Sequence, residues 1–191
     1  MASGTPDVDR TDKLTLTLEA FADTIIPGAK RSPDDRAIAG AATGPGAVEA
    51  GALALLNTPA TGVTAGLPYL VESLNEHATR YAADQGLEVD HTVPPFVALS
   101  FEDRCALITK LTTPGHPEKD GWVGLALFCN MAYDSAAHVH SREAIAGGHP
   151  GLLSMGWGSP DDDGLWRFPN FSYRRELAKT HPDTTPSGSP A

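Results

Sequence analysis

GWVGLALFCNMAYDSAAHVH, residues 121–140, decides the fold class. Trp122, Val123, Leu125, Ala126, Leu127, Phe128, Cys129, Met131, Ala132 and Tyr133 leave almost no polar side over the first three turns, so a helix built from them is expected to be covered on nearly every side. Asn130, Asp134 and the histidines interrupt the run too early for it to cross a bilayer, which takes about 20 predominantly apolar residues. Its cover must come from other helices of the chain or from a partner subunit.

Upstream, the sequence supplies such helices. Leu18, Phe21, Ala22, Ile25 and Ile26 recur at helical spacing, Thr15 or Thr17 can cap their start, and Pro27-Gly28 ends it. Residues 29–46 have no sustained period and read as a surface loop with at most one short turn. An alanine-rich helix is expected over 47–56. A long helix follows, with Leu67, Leu70, Val71, Leu74, Ala78 and Tyr81 on one stripe and Gly86 placed to cap it. Pro94-Pro95 excludes helix locally and gives an extended connector. Ser100 opens the next helix, with Asp103 in the position of the capping-box acid and Phe101, Cys105, Leu107, Ile108 and Leu111 facing inward. No stretch alternates as a strand would. The fold class is therefore all-α: a compact bundle of about five helices around a buried central helix.

The expected organisation is a flexible lead-in over 1–13, a helical domain over 14–146, an irregular strap over 147–180 and a disordered tail over 181–191. The strap is rich in Gly and Pro yet holds Trp157, Trp166, Phe168, Phe171 and Tyr173, which makes it too apolar to be simply unstructured. Aromatic residues on irregular backbone suit either a strap over the domain's own core or the anchors of a partner interface.

Composition narrows the function. At 191 residues with 41% hydrophobic content, the chain suits one domain with a modest core. Its 14 Lys plus Arg against 24 Asp plus Glu give a net charge of -10, with no basic patch of the kind that binds nucleic acid or an anionic membrane. Cys105 and Cys129 sit inside apolar helical patterns and read as small buried hydrophobes rather than a disulfide. The first residues carry acids and no apolar signal segment, so a cytoplasmic location is expected.

No strong catalytic signature is present. His138, His140, His149, Asp134 and the trio Asp161, Asp162 and Asp163 invite a metal reading, but His138 and His140 stand two apart, on different sides of a helix. No nucleophile elbow, phosphate loop or dinucleotide fingerprint occurs. The one self-sufficient enzyme reading places Tyr133, Asp134, His138 and His140 as general acid and base in a pocket at the end of the central helix. A helical module binding a small apolar ligand among the aromatics is a further alternative.

LEAFADTIIPG at 18–28, the apolar GLALFCNMAYDSAAH and the glycine-rich GHPGLLSMGWGSP together resemble the gluconate 2-dehydrogenase subunit 3 family over about residues 14–160, with Asp23 to Pro27 and Gly156-Trp157 matching its motifs. The resemblance implies a non-catalytic small subunit that accompanies the large subunit of a flavin-dependent oxidoreductase of the glucose-methanol-choline type. FAD is then expected in the partner and no cofactor in this chain. It names no catalytic residue. Members are often exported by a twin-arginine signal, which this sequence lacks, and that points to a cytoplasmic stabilising or substrate-gating role.

Overall fold

A computed structural model describes residues 6–157 and 182–183. Among the described residues the chain is all-α, with no strand. The element α1 (Pro6–Ile25) starts upstream of the periodic stretch. Thr17 is therefore not a cap but lies inside the helix. Its hydroxyl donates to the Lys13 carbonyl and accepts from Asn75 Nδ2 at 3.2 Å.

The alanine-rich segment forms a turn over 47–51 and then the short α2 (Ala52–Leu56), because Gly51 takes a left-handed φ of 88° that ends any continuous helix through it. α3 (Leu67–Gln85) matches the sequence reading down to its Gly86 cap at φ 65°. The diproline departs from expectation. Pro95 occupies the first turn of a four-residue helix, α4 (Pro95–Ala98), where its missing N–H costs nothing. α5 (Phe101–Thr112) opens on the Ser100 box, with Ser100 Oγ accepting from the Asp103 N–H and donating to Asp103 Oδ2.

The decisive stretch becomes α6 (Lys119–Ser135), which Ala136 terminates with φ 49°. Two short helices follow, α7 (Ser141–Ala146) and α8 (Pro150–Ser154), the second inside the stretch read as irregular strap. Trp166, Phe168, Phe171 and Tyr173 lie outside the described residues.

α6 is the hub: it packs on α1, α2, α5 and α8. Trp122, Leu125, Cys129 and Ala132 form its buried face, with the Trp122 ring 6.4 Å from that of Phe21 on α1. Cover on every side is not what the structure shows. Leu127 and Met131, one turn apart on the opposite side, are 55% and 41% exposed. Both cysteines are free, and burial pushes the Cys129 thiol up to about 12.

The irregular 29–46 loop is tied down by two buried polar side chains. Asp23 accepts from the N–H groups of Gly28 and Ala39 at 3.0 and 2.8 Å, and burial still raises its carboxyl pKa against those bonds. Arg104 donates to the carbonyls of Ala37 (2.7 Å), Val97 (2.6 Å) and Arg36 (3.2 Å), joining the loop to α5 and to the end of α4. On the surface Arg31 bonds both oxygens of Glu19 and both of Asp35.

Candidate functional site

The candidate surface is the outer side of α6 and the adjoining α8. Besides Leu127 and Met131, Leu153 on α8 is 55% exposed, and Trp157 just beyond it is 38% exposed. A lone exposed apolar residue means little, but large ones gathered on two packed elements are the usual mark of an interaction surface. The ends of the α6 stripe are acidic, Asp120 and Asp134 both being exposed. At Gly124, between Asp120 and Leu127, an added Cβ would meet nothing within 4 Å, which leaves a notch in the stripe.

α8 is seated on α6 by close backbone approach. A Cβ at Gly151 would run into the carbonyl of Tyr133, and the Tyr133 hydroxyl bonds Ser154 Oγ. Gly151→Ala is expected to cost about 2 kcal/mol, the range of overpacking, because the obstruction is backbone that cannot rotate away. Urea unfolding of the variant measures that loss, and an unchanged midpoint would mean that α8 is not held against α6.

The four residues of the enzyme reading go separate ways. Tyr133 is committed to Ser154. Asp134 is exposed and makes no hydrogen bond or ion pair among the described residues. His140 caps α7, its Nδ1 accepting from the Arg142 N–H at 3.3 Å. His138 turns inward and meets His149, the two rings lying 5.6 Å apart. A Cβ at Gly51 would collide with the His138 ring, so the imidazole rests on bare backbone at the start of α2. His138 Nδ1 is buried without a hydrogen-bond partner, and burial, then the neighbouring His149, push its pKa down. His149 is buried, with Nε2 donating to the Ala50 carbonyl at 2.9 Å and Nδ1 accepting from the Leu152 N–H at 3.3 Å as the cap of α8. A small cavity of about 200 Å³ opens beside the pair, lined also by Val139, Glu143, Ala144 and Gly147.

Two further features were not foreseen. A groove of about 640 Å³ runs between α3 and residues 87–95, with Ala78, Ala82, Leu87 and Val93 among its walls. Most of its polar lining is already occupied: Asn75 bonds Thr17, the Val71 carbonyl and the Phe96 N–H, and Asp90 bonds Arg36 and Thr92. At the start of α6, Glu118 accepts from Trp122 Nε1 and bonds His77 Nε2 at 2.6 Å, and the His77 contact holds the Glu118 carboxyl below its usual range. This cluster fastens α6 to α3. Among the described residues no three His, Cys, Asp or Glu side chains converge to hold a metal ion, and no helix is long and apolar enough to cross a membrane.

Comparison with known families adds one match, to a family of unknown function, DUF5987, over residues 12–191. The chain belongs to that family. No curated protein and no solved structure matches it. The DUF5987 match takes in both the helical bundle and the aromatic segment beyond Trp157, so the two form one family unit, and it assigns no activity to either.

Proposed function

We propose that the chain is a non-catalytic small subunit that docks a larger protein through the outer side of α6 and α8. The observation that carries this reading is the exposure of Leu127 and Met131 on the most apolar of the four longest helices among the described residues. Burying them on a partner would release apolar surface from water at roughly 25 cal/mol per Å². The structural hydrogen bonds that occupy Tyr133 and His140, to Ser154 and to the Arg142 N–H, favour the same reading.

The partner that the resemblance implies is the large subunit of a flavin-dependent oxidoreductase of the glucose-methanol-choline type, which would carry the FAD. In such a complex this chain stabilises the large subunit or shapes access to it. Trp157 is an anchor candidate on the described part of the chain, and Trp166, Phe168, Phe171 and Tyr173 are candidates beyond it. The experiment is purification of the tagged protein from its native host, with visible absorption and mass spectrometry of what accompanies it. A stoichiometric partner showing flavin absorption is the expected result. A colourless monomer, folded and alone, would overturn the proposal.

A further inference from the structure

The histidine pair does something the docking role does not require. His149 is held in one tautomer: a carbonyl oxygen can only accept, so Nε2 must carry the proton toward Ala50, and Nδ1 must be bare to accept from Leu152. A proton on Nδ1 would set two N–H groups against each other and remove the cap of α8. His138 is restricted in another way. Its ring is pressed onto Gly51, its Nδ1 is shut off from water without a partner, and its nearest aromatic neighbour is another histidine. A charged ring there finds no hydrogen-bond acceptor at Nδ1.

We propose that residues 136–157 form a pH-operated latch, docked on the start of α2 while His138 and His149 are both neutral and lifted from it when either takes up a proton.

The surrounding charges leave this arrangement unopposed. On the α7 side Glu143 lines the small cavity beside the pair and, among the described residues, is the one carboxylate that does so. On the α2 side the contacts are the backbone of Ala50 and Gly51, while Glu49 lines a different cavity, beside Asp23. On the α6 side Asp134 is exposed, and on α7 His140 is committed to its cap and Arg142 is exposed. His138 is depressed below the ordinary histidine value of 6.5 by burial first and by His149 second. A depressed histidine favours the docked state fully above that ordinary value, and the contribution drains away as pH falls from it through the lowered one. The latch is a property of this chain alone and stands whether or not the partner reading does. If both hold, acid weakens docking, because Leu153 and Trp157 travel with the latch.

Hydrogen exchange of the full chain at about pH 7.5 and about pH 5.5, on either side of the ordinary histidine value, tests this. After correction for intrinsic exchange, protection over 149–157 is expected to fall on the order of fivefold at the lower pH, the ratio equivalent to losing one helix cap. The amides of α5 serve as the internal reference and are expected to hold steady. The double variant His138→Phe/His149→Asn removes both imidazole rings while asparagine keeps a capping oxygen, and its protection over 149–157 is expected not to change between the two pH values. Equal protection of 149–157 in the unaltered protein at both pH values, a fall shared equally by α5, or a pH step that survives in the double variant would each overturn the latch.

Discussion

Replacing Arg104 with methionine is expected to destabilise the fold by about 3 kcal/mol, since a hydrogen bond from a charged donor contributes about 1.5 to 3 kcal/mol and several are lost together. Arg104 is 3% exposed, and its guanidinium feeds three carbonyls on two separate stretches, Arg36 and Ala37 in the loop and Val97 at α4. Methionine fills similar volume and relieves a buried charge, but it leaves those carbonyls without the donor. Arg104 Cζ also sits 5.9 Å from the ring centre of Phe96, a fully buried residue whose N–H is bonded to Asn75, so the loss spreads toward α3. Arg104→Lys is expected to fall between the two, because one ammonium cannot serve three acceptors arranged for a planar fork. Thermal unfolding reads the effect as a fall in Tm of roughly 10 °C, at about 2 to 4 °C per kcal/mol for a chain of this size. A methionine variant as stable as the parent would mean that Arg104 does not hold the loop.

Much of this architecture was legible in the sequence because it rests on short-range patterns. The stripe from Leu67 to Tyr81, the Gly86 cap and the Ser100 box each act within one or two turns, and each stands where its pattern put it. What escaped depends on separation along the chain. Which residue of 121–140 faces the bundle is set by how many helices surround α6, and composition alone, apolar on all sides, carries no record that Leu127 and Met131 stay exposed. The histidine pair was hidden in a similar way: helical spacing does not apply to His138 and His140, which lie beyond the end of α6, and His138 instead meets His149 over the backbone of Gly51, far back in the chain. Gly51 did hold a usable clue, since a glycine in an otherwise alanine-rich helical run marks a break. Arg104 held none, because an arginine beside Cys105 on an amphipathic helix reads as solvated until the loop it anchors is seen.

The second large effect falls on binding instead of stability. Leu127→Ser with Met131→Ser removes the exposed centre of the α6 outer face while leaving Trp122, Leu125, Cys129 and Ala132 in place on the buried one. Exposed positions away from special backbone or polar networks usually shift stability by no more than about 0.5 kcal/mol, so the double variant is expected to keep its Tm within a few degrees. Truncating central interface residues, in contrast, costs about 2 kcal/mol or more each where they are well buried by a partner, which weakens association roughly 30-fold per residue.

The most direct measurement of the central claim is therefore the dissociation constant of the complex with the large subunit proposed above, measured for the parent chain and for the Leu127→Ser/Met131→Ser variant with the unfolding of each free chain as control. The α6 face as a docking surface requires a loss of affinity of roughly 30-fold or more at nearly unchanged stability. Equal dissociation constants for the two chains would contradict it.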